Sequence, residues 1–398
     1  MAVRTPQAVG VLGRDASVAG VIDAARSRGW RVLEASDRAD DGPDAVSWTA
    51  LLDPRNCDAV VVGGDGWNAA RADAVRTLVQ AGRLLVLGQP LDRSMLWAFE
   101  LDMIARDSGA RLLPALPDRL HPWIGALVTM VEAAAGGAGT PLESIRLERV
   151  MADRSRDAVL AALSRDVDIV RVLAGDPTRV TALGAGDPDA AWATLAVGLT
   201  APNQVPARWQ VAAGSRPGLR VALHRADGSQ EVFMPDGPDG WTSSPALPPP
   251  GPFDRGAAIL DRVTAVASGA TPEPTGVRPA SWIDAARALE IAEAVPRSLA
   301  RGRAIDLHRE EFSELGTFKG TMASLGCGIV LLALVLAVLA TLVAGVAVEL
   351  DWDLGKSVTA AWPAVILAAM VGFLALQVLP FVVGPDRPPA GPGRDDAG

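Results

Sequence analysis

The 398-residue chain has no tyrosine, two cysteines and three histidines. Without tyrosine there is no phenol to serve as an acid. Cys57 and Cys327 lie far apart, which excludes a disulfide scaffold and a cysteine-rich metal site and suits a reducing compartment. His121, His224 and His308 are too scattered for a histidine-rich metal centre. Lysine and arginine number 37 against 46 aspartates and glutamates, giving a formal net charge of -9. That balance excludes a general nucleic-acid binder, which needs a basic face for phosphates. There is no Walker loop, no nucleophile elbow, no His-Glu-x-x-His motif and no internal repeat. Residues 1–20 hold no long apolar run behind a basic one, so no signal peptide is expected.

Hydrophobic residues make up 49% and charged residues 21%, enough apolar material for a packed core and too much for wholesale disorder. The mean hydropathy of +0.23 has a local source. Residues 320–348 and 357–385 contain no charge. Each run exceeds the roughly 20 residues that cross a bilayer core as a helix, and each is apolar on all sides. The sequence therefore predicts transmembrane helices over 320–349 and 358–384. Arg297, Arg301, Arg303, Arg309 and Lys319 precede the first span, and Arg387 and Arg394 follow the second. The connection carries Asp351 and Asp353 with only Lys356. Basic flanks stay inside, so both termini and the body of about 320 residues are expected on the cytoplasmic side of the inner membrane. Trp352 and Trp362 sit at the outer ends of the spans. Residues 385–398, rich in proline, glycine and aspartate, are expected to be disordered.

Strand-like runs at 7–12, 31–35, 57–62, 84–87 and 111–114 alternate with helical patterns at 17–28, 69–81 and 95–108. Alternation of this kind implies β-α-β units and a parallel sheet, whose ligand crevice lies at the carboxyl ends of the strands. Here those ends are the loops at 13–17, 36–38, 63–66 and 88–90. The fold class expected for residues 1–123 is α/β of Rossmann type. Residues 124–315 read as an α+β domain with a mainly antiparallel sheet. Its strands are placed at 143–150, 179–183, 192–199, 207–213, 219–224 and 230–234, with a helix at 157–173. Ala226-Asp227-Gly228-Ser229 is a hairpin signal. Residues 235–252 and 271–279 are proline-rich loops. A closing amphipathic helix is predicted over 281–298, with Trp282, Ala286, Leu289, Ala292 and Val295 on its inner face.

Several local patterns, in this order, resemble the Gfo/Idh/MocA family of glucose–fructose oxidoreductase and inositol dehydrogenase relatives. Residues 57–62 and then Gly88-Gln89-Pro90 resemble the family's third strand and its Glu-Lys-Pro strand end. Arg119-Leu120-His121-Pro122 resembles its Arg-x-x-Pro. Asp166–Gly175 resembles the end of its active-site helix, and Ser281–Ile291 its closing helix. The resemblance spans roughly residues 7–308. It implies a domain that binds NAD or NADP and a second domain that holds a sugar or cyclitol. On the matching positions, Gly13, Asp37, Gln89 and Pro90 are the candidate cofactor-binding residues, and Asp168 is the candidate catalytic residue.

The chemistry-bearing positions depart from the family's pattern. Gly-x-Gly-x-x-Gly is replaced by Gly13-Arg14-Asp15-Ala16-Ser17-Val18, which places a carboxylate where pyrophosphate would approach a helix N-terminus. Gln89 stands at the lysine position and has no proton to exchange near neutral pH. Arg165 stands at the histidine position and cannot act as a base. Arg71 stands near a position often occupied by histidine. His121 is a possible partner of Asp168 in the crevice, or a loop histidine without a role. Two readings follow. In one the body is a pseudoenzyme, kept as a binding or sensing module and tethered to the membrane, with a membrane protein or a second copy as partner. In the other it is an active NAD(P)-dependent oxidoreductase with a non-standard site. The crevice discriminates between them, since a pure scaffold can fill it with Trp67 or other side chains.

Overall fold

A computed structural model describes residues 6–36, 46–92, 94–184, 192, 194–202, 205–237, 240–270 and 276–307, with three single positions at 339, 342 and 346. Met1–His308 forms one compact unit and Arg309–Gly398 a second. Apart from those three positions, both predicted spans lie outside the described residues, as do the tail, Cys327, His308 and Asp37. Among the described residues no helix is long and apolar enough to cross a membrane.

The chain first lays down β1 (Ala8–Leu12), α1 (Ala16–Ser27), β2 (Arg31–Ala35), β3 (Ala59–Val62), α2 (Ala69–Gln80), β4 (Leu84–Leu87), α3 (Met95–Ser108) and β5 (Arg111–Pro114). The five strands form a parallel sheet in the order β2-β1-β3-β4-β5. Every residue of β1 and β3 is buried, as central parallel strands covered on both faces require. Each helix begins on a polar side chain that accepts from the first turn: Asp15 for α1, Asn68 for α2 and Ser94 for α3. The expected Rossmann-type half is present, with each strand and helix within two residues of its predicted limits.

Then come α4 (Pro122–Ala135), β6 (Leu142–Val150), α5 (Arg156–Ala174), β7 (Arg179–Leu183), β8 (Ala196–Thr200), β9 (Pro206–Ala212), β10 (Gly218–Arg225), β11 (Gly228–Pro235) and β12 (Thr242–Ser244). After these follow α6 (Arg255–Ser268), α7 (Trp282–Arg301) and β13 (Ile305–Asp306). The second sheet has the order β12-β11-β10-β6-β9-β8-β7-β13, and only β6 and β9 pair in parallel. The hairpin at Ala226-Asp227 joins β10 to β11 as expected. Four points correct the sequence reading. Strand β8 starts at Ala196 rather than at 192. The region expected to be one loop, 235–252, contains β12. Helices α4 and α6 were not anticipated. The closing helix α7 runs on to Arg301, through Pro296.

Helix α6 does not stay with the second sheet. It packs on α1, where Gly20 and Gly256 bring the two backbones together, and its Ile259, Leu260 and Val263 join the core beneath the first sheet. Helix α7 serves both halves. Trp282, Ala285, Ala286 and Leu289 enter the core of the first sheet, while Ile291, Ala294 and Val295 enter that of the second.

Under the second sheet a charged group is buried on purpose-built partners. Arg149 of β6 makes a two-point contact with Asp166 of α5, and Asp166 also accepts from the Trp209 indole at 2.8 Å. Burial works against the charge of Arg149, but Asp166 and then Asp236 outweigh it and raise its pKa. Removing one member leaves the other charged and unpaired. Asp166→Ala is expected to cost about 3–5 kcal/mol of stability, read by urea unfolding; a loss under about 1 kcal/mol would show that water or Asp236 takes over.

Candidate active site crevice

Strand order reverses between β1 and β3, and a nucleotide crevice in this class of sheet opens between the loops that leave those two strands. Here the two loops are stitched together. The Gly63 amide donates to the Leu12 carbonyl at 3.1 Å and the Asp65 amide to the Arg14 carbonyl at 2.8 Å. The backbones approach so closely that a Cβ on Gly63 would lie 2.5 Å from Arg14. Gly13 adopts φ +73°, a left-handed conformation, and a side chain there would also collide with the Arg71 guanidinium. Arg71 is 4% exposed and donates to the carbonyls of Gly63 and Asp65, so it closes the crevice from the α2 side.

Asp15 occupies the place that an anion would take. Its Oδ1 accepts from the amides of Ser17 (2.8 Å) and Val18 (3.1 Å) and from the Ser17 hydroxyl (2.5 Å). Its Oδ2 accepts from the Gly64 amide at 2.6 Å. The donors at the start of α1 that would meet a phosphate are thus spent on a carboxylate of the chain itself. The residues present do not fit a dinucleotide's pyrophosphate. The role of Asp15 was partly visible in the sequence, because Asp-Ala-Ser before an apolar-periodic run is a helix-start signal; its reach to Gly64 was not. Arg71 and Arg119 gave no sequence signal of their roles.

The remaining candidates are dispersed. Asp37 falls outside the described residues. Just before it, Glu34 pairs with Arg14 and with Arg26 at 2.7 Å. Gln89, 3% exposed, turns its amide to the Ala285 carbonyl of α7 at 3.4 Å, and Pro90 follows it half-buried. Arg165 is exposed on α5. Trp67, half-buried after β3, sets its ring edge-on to Trp97, which meets Trp282 in the same way, at centroid separations of 5.2 and 6.4 Å. The thiol of Cys57 is buried, and burial pushes its pKa up against the pull of Arg83.

Asp168 and His121 do not meet. Asp168 lies buried with both oxygens on Arg119, Nε at 2.8 Å to Oδ2 and Nη2 to Oδ1. Burial pushes its carboxyl up, against Arg119 and Arg171; the two-point guanidinium contact suits the ionised form. Arg171 in turn holds Asp284 of α7 at 2.8 Å. Burial would raise Asp284, but the Ser281 amide, Arg171 and Arg119 outweigh it and hold the carboxyl at about 2. His121 is the N-cap of α4, its Nδ1 accepting from the Trp123 amide at 3.1 Å. It stacks on Trp241 at 3.6 Å, with Phe253 edge-on at 5.0 Å. Burial, and then the positive charge of Arg255, lower its pKa to about 4.

No family model matches the chain, and no curated protein matches it. Solved structures do. An aldose-aldose oxidoreductase from Caulobacter crescentus, complexed with glycerol, superposes with a TM-score of 0.58 at 17% identity, over 76% of this chain and 100% of that one. GenD2 from gentamicin A biosynthesis, in complex with NAD, gives 0.57 at 19% identity over 77% and 98%. An oxidoreductase from Agrobacterium radiobacter, in complex with NAD+, L-tartaric acid and magnesium, gives 0.53 at 17% identity over 75% and 98%. At these identities the likeness is one of fold. The body shares the two-sheet fold of these solved oxidoreductases, the fold that the Gfo/Idh/MocA resemblance implied.

Since the folded pKa of His121 is depressed below the unfolded value of about 6.5, its contribution is complete above pH 6.5 and is lost as pH falls towards 4. His121→Asn supplies an oxygen acceptor in place of Nδ1 and removes the titration. Between pH 7 and 4.5 the native protein should lose up to about 3 kcal/mol more stability than this variant in urea unfolding; equal losses would acquit His121.

Proposed function

We propose that the body is a pseudoenzyme: an oxidoreductase fold kept as a binding or sensing module without NAD(P) chemistry. The observation that carries this reading is the Asp15 carboxylate on the amides of Ser17, Val18 and Gly64. A pyrophosphate would have to displace it and then accept a like charge beside its own. The loss of catalytic groups points the same way. The side chain at the lysine position is committed to a helix carbonyl, the one at the histidine position cannot take up a proton, and Asp168 is held by Arg119. We further propose that residues 320–349 and 358–384 anchor this module in the cytoplasmic membrane, with the body and both termini inside.

One observation favours the second reading, an active sugar or cyclitol oxidoreductase: the fold likeness to solved oxidoreductases covers nearly the whole of each of those chains. Calorimetric titration of the full-length protein with NADH and NADPH, with nicotinamide fluorescence in parallel, separates the two. No saturable binding is expected up to millimolar concentration. Saturable micromolar binding would overturn the pseudoenzyme reading. Strengthening of such binding in Asp15→Asn, which removes the competing charge, would then place the dinucleotide in this crevice.

A further inference from the structure

The N-terminal half of α5 and the C-terminal half of α7 enclose a cleft of about 480 Å³, a size that small-molecule sites commonly have. Its floor is apolar, made by Leu160, Leu289 and Pro296, and its rim carries Arg156, Glu293 and Arg297. Charges of opposite sign this close on neighbouring turns ordinarily pair; Glu293 and Arg297 stand at the i, i+4 spacing that favours it. None of the three makes an ion pair among the described residues. Arg297 turns its Nε to the backbone carbonyl of Glu293 at 3.3 Å. Arg156 holds its guanidinium 5.5 Å from the centre of the Trp192 ring. Glu293 accepts the Met95 amide on Oε1 at 2.7 Å, which draws it away from Arg297.

The backbone adds an acceptor. Pro296 has no N–H, so the carbonyl of Ala292, which also lines the cleft, has no donor four residues on. The rim therefore offers two guanidinium donors together with a carboxylate oxygen and a carbonyl oxygen, over an apolar floor. A simple anion would meet the Glu293 carboxylate, and a simple cation would meet the arginines; each leaves one sign uncompensated. A ligand that carries both charges close together compensates both.

We propose that this cleft binds a small zwitterion with an apolar body, of the α-amino acid class. Its carboxylate lies on Arg297 and Arg156, its ammonium on Glu293 and the Ala292 carbonyl, and its side chain on Leu160, Leu289 and Pro296. The proposal rests on the reading of the body as a binding module. The dinucleotide titration tests that reading, and a different ligand series tests this one, so the two can fail separately.

The full-length protein in lipid-free detergent is titrated with L-leucine and L-phenylalanine by calorimetry. The comparison ligands are leucine amide, which lacks the carboxylate, 4-methylpentanoate, which lacks the ammonium, and glycine, which lacks the body. Saturable binding of a zwitterion is expected, at least tenfold weaker for each comparison ligand, since a site built for a polar group rejects the analogue without it. Glu293→Gln keeps the acceptor for Met95, and Arg297→Gln lies at the exposed rim; each should weaken binding at least tenfold while the thermal unfolding midpoint of the unliganded protein stays in place. No binding of any amino acid by folded protein at 10 mM-order concentration (roughly the weak limit of small-ligand affinity) would overturn the proposal. So would equal binding of the singly charged analogues, or binding seen only when phosphatidylethanolamine vesicles replace the detergent.

Discussion

The ion pair between Arg171 and Asp284 fixes the relation of α5 to α7, and with it most of what lies between the two sheets. Both side chains are almost fully enclosed, and both belong to a larger set with Arg119 and Asp168. Charges at such depth are tolerated only when paired in good geometry, so α7 cannot slide along α5 without stranding one of them. With Asp284 pinned, Ala285 falls opposite Gln89, Leu289 enters the core of the first sheet, and Glu293 reaches the start of α3. One electrostatic constraint thus sets the surroundings of Gln89 and the walls of the cleft further along the helix.

The crevice at the switch point is closed by a few local contacts. An ordinary nucleotide-binding loop leaves its helix-start amides free and keeps the neighbouring loop at a distance. In this chain a capping carboxylate does both jobs of closure: it satisfies α1 and reaches across to the loop after β3. Arg71 then fills the remaining space with a guanidinium that the two backbones satisfy. The arrangement is self-contained, since every polar atom named in it is satisfied by the chain itself.

Much of the architecture was legible because it is written in local periods. The alternation of apolar strands with capped helices placed the first sheet, and the turn at Ala226-Asp227 placed the β10–β11 hairpin. What failed was masked by composition. Helix α4 begins at Pro122, a good first helical residue, but on the cap of a histidine, which is no ordinary start signal. Helix α6 stands between proline-rich stretches, and its partner, α1, is more than two hundred residues away. Trp192 was drawn into a strand by the apolar run that follows it, although β8 begins only at Ala196. At the site, substitutions at single positions were readable: the carboxylate at 15, the glutamine at 89 and the arginine at 165. Pairings were not, because nothing in a sequence says that Arg119 faces Asp168 or that Asp15 finds the amide of Gly64.

The last strand of the body has a mechanical meaning. Beyond α7 the chain joins the edge of the second sheet through Ile305 and Asp306 alone, helped by the Leu307 amide on Thr178 and the Arg179–Asp306 pair. Tension applied to the chain from its C-terminal side falls first on this short ladder. The hold there comes from that two-residue pairing and from Ile305, whose side chain is buried in the core of the second sheet.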